Sequence, residues 1–447
     1  MIISDINVIG AGLAGCEAAW QAAVRGISVK LYEMKPIKFS PAHKNQNFAE
    51  LVCSNSFKAQ NIENAVGLLK KELETGGSLI IEAAYKTRVP AGGALAVDRN
   101  NFSEYITKKI KSNKNIEIIY GEVKKIDKSK INIIATGPLT SDGLLDEIKF
   151  FTGENYLYFF DAAAPIVSID SIDFGSAFYA SRYEKGEKDY INCPLTKDEY
   201  ELFYEGLLSA KTADLHKFDR EYIENNVFEG CMPVETAAKR GEKTLLFGCM
   251  KPVGIKDERT GKEPYAVVQL RCENSEGTMY NMVGFQTNLI FSEQKRIFSK
   301  IPALKNCEFL RYGVMHKNTF INSPKLLDCR YNLKKAGNIY FAGQITGTEG
   351  YICSTASGFA AGTAAAAAVR GILEPPFPKF TAIGALAHYI SDFGIDNFQP
   401  MGINFGIIEK PKEKIKGGKN FIKQKMAEIS LEYMNSWKNS QKYLEKN

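Results

Sequence analysis

Short apolar runs that close on turns of small residues punctuate this chain. Residues 6–9 form one, residues 27–32 another, and residues 131–137 and 339–344 two more. Runs of this length bounded by glycine read as strands buried on both faces, as in a parallel sheet covered by helices. Helical patterns alternate with them. Residues 16–23 follow the first run. Residues 357–369 follow the last and are almost all small, helix-favouring residues suited to close packing on a sheet. Residues 100–137 continue the alternation and return to the same sheet. From about 168 to 301 the pattern changes, with strand-like runs such as 265–270 set among aromatic and hydrophilic stretches. That portion reads as an insertion. The expected organisation is α/β: a Rossmann-like first part over 1–167, an inserted α+β domain over 168–304, a second Rossmann-like part over 305–409, and a basic helix or tail over 410–447.

The turn after the first run carries chemistry. Gly10-Ala11-Gly12-Leu13-Ala14-Gly15 lies between strand and helix patterns, where glycines let the backbone approach a pyrophosphate held by the free N–H groups of a helix N-terminus. Glu33 closes the second run at the separation where a carboxylate accepts from a ribose 2′-hydroxyl, which favours an unphosphorylated ribose as in FAD or NAD. Ala135-Thr136-Gly137 ends the third run, and Gly343, Gln344, Gly347, Gly350 and Tyr351 follow the fourth. These stretches are similar to the later motifs of two-dinucleotide-fold flavoproteins, in which the last strand leads to a helix whose N-terminus faces the flavin. The Gly-x-Gly-x-x-Gly pattern occurs once, and no Cys-x-x-Cys pair accompanies it. A nicotinamide reductant is therefore expected to visit without a dinucleotide fold of its own.

Composition narrows the setting. A chain of 447 residues can bury a large core in two or three domains. No opening segment has the form of a secretion signal, and the apolar run near 364–369 is too short to span a bilayer, so a cytoplasmic protein without a membrane partner is expected. Nine cysteines, an odd number, fit reduced thiols rather than a disulfide framework. The four histidines show no metal-binding spacing, so no metal is expected. The net charge of +6 includes a lysine-rich run from Lys410 through Lys425, read either as a solvated surface or as phosphate contacts to RNA. Two thiols stand out. Cys53 lies where an apolar run gives way to Ser54-Asn55-Ser56, residues that cap helices, and a thiol at a helix start has its thiolate favoured. Cys231 lies in a Gly–Pro turn beside Glu229 and Glu235. On composition alone each is more readily a small buried residue than a catalyst, because free cysteine packs well in cores.

Longer strings add a resemblance. Residues 48–56, 89–99, 228–235, 283–287, 311–319, 343–351 and 398–401 closely resemble the folate- and FAD-dependent tRNA uracil-5-methyltransferase family. The resemblance implies methylation of a T-loop uridine in tRNA, with carbon from methylenetetrahydrofolate and electrons from NAD(P)H passed through FAD. It puts the family's two important cysteines on Cys53 and Cys231, sets Tyr351 by the flavin, and leaves His316 and His43 as candidates to stack on the pterin. One thiolate would add to uracil C6, since C5 is a poor nucleophile until C6 is saturated. Three positions depart from the family pattern: Cys249 stands where proline is usual, Lys317 where arginine is usual, and Ile352-Cys353 where an acidic residue is common. The readings to weigh against this one are the same chemistry on a ribosomal RNA uridine, the related enzymes of wobble uridines, and a flavoprotein oxidoreductase without RNA.

Overall fold

The computed structural model describes residues 5–153, 156–184, 187–213, 232–257, 259–395, 398–411 and 417–441. Its centre is a six-stranded sheet in the order Asn332–Leu333, Ala336–Phe341, Ile131–Ile134, Ile6–Ile9, Val29–Glu33, Ile116–Tyr120. Its pairings are parallel except between the two strands at the Asn332–Leu333 edge. Ile6 sits in register with both Val29 and Ile131, so the first strand is central and fully buried. This explains its unbroken apolar character.

The first helix, Leu13–Val24, begins three residues before the pattern at 16–23 suggests, directly on Gly12. The helix Tyr351–Val369 begins six residues earlier than 357. Its first turns hold Ile352, Ser354 and Thr355, which local propensity does not favour, and burial in the core sustains them instead. This 19-residue helix is long and apolar enough to cross a membrane by length and composition, yet it is packed inside the protein. It lies against the first helix through glycine. A Cβ on Gly358 would stand 2.2 Å from the Ala14 carbonyl oxygen, and one on Gly362 would stand 2.7 Å from the Ala18 backbone.

A second six-stranded sheet is antiparallel, in the order Phe178–Ala180, Tyr190–Leu195, Ala266–Cys272, Met279–Met282, Ile166–Ser168, Phe309–Arg311. It has its own buried core, including Phe203, Phe285 and Phe298. The chain reaches it along Leu157–Ala162 and returns along Met315–Phe320, and these two strands pair with each other. A three-stranded sheet of Ser56–Ala59, Ala94–Val97 and Arg88–Val89 stands between the Rossmann-like part and this insertion. The inserted and Rossmann-like parts are bonded through it: Asn55 Nδ2 donates to Val97 O and Cys272 O, and Ser275 N–H donates to Asp98.

Buried carboxylates lock the helices. Glu17 accepts from Ser78 Oγ and Ile80 N–H, pinning the helix Leu79–Lys86 to the first helix. Glu72 accepts from the N–H groups of Ala382 and Ile383 and from Ser430, so it joins the helix Ala65–Gly76 to the helices Ala382–Ser391 and Lys419–Ser440. The basic helix expected within 410–447 is thus seen as Lys419–Ser440, while residues 412–416 and 442–447 lie outside the described ones.

The helix crossing is testable. Because Gly358 meets backbone rather than a movable side chain, Gly358→Ala should lower stability by about 1–3 kcal/mol, read from urea melts, and an unchanged midpoint would contradict the packing described. Burial raises the Glu72 carboxyl from 4.5 to about 7, with Ser430 and the two backbone N–H groups pulling the other way. The folded state therefore holds this proton more tightly than the unfolded one, and the stability so gained is complete below pH 4.5 and lost as pH rises through 7. Relative to Glu72→Gln, the wild-type protein should lose about 3 kcal/mol across that window. A flat difference would show that Glu72 stays ionised.

Candidate active site

A cleft opens at the carboxyl ends of the parallel strands. Gly10, Ala11, Gly12, Leu13, Ala14, Glu33, His43, Gly343, Gln344 and Tyr351 all line it. Gly15 does not. It sits behind the turn, where a Cβ would fall 1.8 Å from the Gly10 carbonyl oxygen. Gly10 has φ +100°, and a Cβ there would meet Ala135 O at 2.7 Å, whereas a Cβ on Gly12 would meet nothing within 4 Å. Gly10 and Gly15 are thus required by packing, and Gly12 leaves space on the side of the cleft.

The cleft suits a dinucleotide on its own geometry. No side chain caps the first helix at Gly12 or the helix Tyr351–Val369 at Gly350, so orphan N–H groups and two helix dipoles are available to anionic groups. Glu33 Oε2 accepts from Ala11 N–H at 2.9 Å and Oε1 from Lys35 N–H at 2.9 Å. Each carboxylate oxygen keeps a lone pair for a ribose hydroxyl. Residues 136–141 and Ser354 complete the wall. Thr136 and Gly137 were visible as the end of a strand pattern, but Ser354 carried no signal.

Cys53 lies on a bend leading into the strand Ser56–Ala59 and not at a helix start, which corrects the expectation from its neighbours. The cap-forming residues serve other ends: Ser54 Oγ accepts from Ser56 N–H, and Asn55 bridges the two parts of the fold. Another group attends the thiol. The Tyr351 hydroxyl oxygen accepts from Cys53 N–H at 3.0 Å and from Ser54 N–H at 3.2 Å, and it lies 3.0 Å from Cys53 Sγ. With two backbone donors on that oxygen, its hydrogen is left to point at the sulfur. Burial first, then the nearby Cys53, hold the Tyr351 phenol well above its usual pKa, so it stays protonated and donates. An O–H donor aimed at sulfur favours thiolate character.

Around this bend stand Arg99, Arg271 and Arg311, which the strings above contained or adjoined without signalling a role. Arg99 pairs with Glu273 and donates to Leu51 O, and Arg271 donates to Asn55 and Ser54. Cys231 lies outside the described residues. His43 contacts Ser40 Oγ through Nδ1 at the cleft. The His316 backbone pairs with Asp161, and its side chain, like that of Lys317, lies outside the described part. Cys249 and Cys353 are raised by burial to about 12 and about 11, as befits packed thiols, and Cys353 accepts from Ile403 N–H. Arg182 is taken up by Lys251 O, Val253 O and Gln269. In the lysine-rich run, Lys425 pairs with Glu428 and Lys423 stands over the Phe405 ring, while residues 412–416 lie outside the described ones. Among the described residues no group of side chains could hold a metal ion.

Residues 5–372 match the family model for glucose inhibited division protein A. A methylenetetrahydrofolate–tRNA-(uracil-5-)-methyltransferase TrmFO of Acetivibrio thermocellus is 62% identical over 415 residues, 93% of this chain and 94% of that protein. The chain belongs to the TrmFO family. The TrmFO of Listeria monocytogenes is 55% identical over 427 residues, and that of Ligilactobacillus salivarius 52% over 436, spanning 96% and 98% of this chain and 97% and 99% of those proteins. Two crystal forms of Aquifex aeolicus GidA superpose with TM-scores of 0.71 and 0.70 over 99% of the chain and 78% and 76% of theirs. At 18% and 16% identity these share the fold, a parallel Rossmann-like sheet with an antiparallel insertion. The α/β flavoprotein expectation for this TrmFO-family chain therefore stands.

If Tyr351 holds the Cys53 sulfur as described, Tyr351→Phe should slow alkylation of Cys53 by iodoacetamide at pH 7 about tenfold, followed by peptide mass spectrometry. An unchanged rate would mean that the phenol does not act on the thiol.

Proposed function

We propose that this protein methylates C5 of a uridine in tRNA, taking the carbon from methylenetetrahydrofolate and the electrons from NAD(P)H through FAD. What carries the reading is identity of 52–62% over nearly the whole chain with proteins named for this reaction, joined to a reactive-thiol geometry at the edge of a dinucleotide cleft. The residues fit FAD. Gly10, Ala11, Gly12, Leu13 and Ala14 would cradle the pyrophosphate, Gly15 would hold that turn tight, and Glu33 would take the ribose. Gly343, Gln344 and Tyr351 would border the ring end of the cleft. Bound there, FAD supplies the redox chemistry that turns a methylene into a methyl group.

The chain's own part is nucleophile, proton and position. Cys53, held by the Tyr351 hydroxyl, either adds to uracil C6 or takes the C5 proton, and Cys231 takes the other role. Arg271, bonded to Asn55 and Ser54 beside the thiol, supplies positive charge where an enolate develops. His43, on the cleft wall, or His316, on the connecting ribbon, stacks on the pterin. The target uridine lies in the T-loop and must leave its stack to reach the sulfur, at a cost of a few kcal/mol that backbone contacts offset. The reaction takes place in the cytoplasm, with reduced thiols.

Anaerobic transfer from methylenetetrahydrofolate to unmodified tRNA, and in parallel to ribosomal RNA fragments, tests this with the FAD-loaded protein and NAD(P)H. Methyl should map to the T-loop and fall at least a thousandfold in Cys53→Ala and in Cys231→Ala while flavin reduction continues. Methyl in ribosomal RNA alone would overturn the target. Flavin turnover with no methylated RNA would leave an oxidoreductase.

A further inference from the structure

Next to the thiol bend a second opening is bordered by Phe39, Lys44, Leu51, Arg99, Asn100 and Arg311. Glu50 lines both this opening and the dinucleotide cleft, while Val52 faces the cleft and Leu51 the opening, as alternation along an extended segment requires. The two spaces therefore share a wall of residues 50–52, the segment that leads directly into Cys53.

The charges on that wall do not balance. Arg99 is matched by Glu273, and Arg271 by the side-chain oxygens of Asn55 and Ser54. Arg311 differs. It forms no ion pair among the described residues, its contact with Cys53 O is long at 3.4 Å, and its Nε is buried without a hydrogen-bond partner. Burial and then the charge of Arg99 lower its pKa to about 10, which still leaves it a cation at neutral pH. Glu50, the nearby carboxylate, is engaged by the N–H groups of Lys44 and Asn45 and by Lys35. Glu273, engaged by Arg99, favours the cation only from a distance, so among the described residues this partly desolvated guanidinium has no paired carboxylate and is stabilised by an arriving anion.

We infer that Arg311 receives an RNA phosphodiester adjoining the nucleotide presented to Cys53. The inference rests on the tRNA reading above. A planar guanidinium matches the two free oxygens of a phosphodiester. The opening is wide and polar, and at its rim stand the Lys44 ammonium and the Phe39 ring, 41% exposed. Cations interleaved with an exposed aromatic ring are what an unstacked strand requires. Through its bond to the Cys53 carbonyl, Arg311 would fix backbone and nucleotide in one register.

The test uses the FAD-loaded protein and an unmodified tRNA transcript, with Kd measured between 50 and 200 mM salt. Arg311→Gln should weaken binding about tenfold at the lower salt and reduce the slope of log K against log salt by about 0.7–0.9, the share of one phosphate. Arg311→Lys should keep the slope, having kept the charge, and lose part of the affinity with the fork. The KM for methylenetetrahydrofolate should not move. An unaltered slope in Arg311→Gln would overturn the assignment. So would a raised folate KM with RNA binding intact, since the anion would then be a folate carboxylate. Flavin absorbance and a thermal melt report on folding. If Arg311→Gln loses its flavin, a neutral methylphosphonate placed 5′ to the target uridine, assayed with wild-type protein, should cost the same slope, and indifference to it would overturn the assignment. A wild-type protein that fails to bind tRNA would instead overturn the tRNA reading.

Discussion

The close crossing of two helices is the constraint on which this site depends. Gly358 and Gly362 lie against Ala14 and Ala18 with no room for a Cβ, so the helix Leu13–Val24 and the helix Tyr351–Val369 run nearly in contact. Both begin at the same cleft. Chain segments more than 300 residues apart thereby aim two uncapped N-termini into one space, and the second also delivers Tyr351 to Cys53. A larger residue at the crossing would separate the phosphate end of the cleft from its thiol end.

Much of the fold was legible because its physics is local. A strand buried on both faces must be apolar along its length, and a backbone that approaches a pyrophosphate must be glycine, so residues 6–15, 131–137 and 339–344 announce themselves. The helix start at Tyr351 was not legible, because packing sustains residues there that propensity would leave out. Cys53 shows the same limit. Ser54 and Asn55 have the composition of a helix cap, yet Asn55 is spent on carbonyls from two different strands. Polar side chains of this type choose partners by tertiary proximity, and a window of neighbouring residues contains no record of that choice.

The arginines were hidden for a further reason. Arg99, Arg271 and Arg311 lie up to 212 residues apart in the sequence and converge only after the insertion has docked. Arg99 and Glu273 form a pair of the kind whose disruption costs several kcal/mol, because its carboxylate is almost wholly buried. No spacing rule links residue 99 to residue 273.

The insertion leaves and returns on adjacent strands, Leu157–Ala162 and Met315–Phe320, so it has a narrow stem of two paired segments. Three of its other attachments, Cys272 O to Asn55, Glu273 to Arg99 and Ser275 to Asp98, cluster around the thiol bend, while Asp189 and Tyr190 bond the turn at Ala91 and Gly92. The Cys53 sulfur thus stands on a seam between two folding units and is held from both sides. Any tilt of the antiparallel unit on its stem, such as a docked macromolecule would impose, pulls on the backbone that carries Cys53. The position of the Cys53 sulfur and the placement of the antiparallel unit are in this way mechanically one variable, and neither unit could hold the thiol bend if the other were cut away.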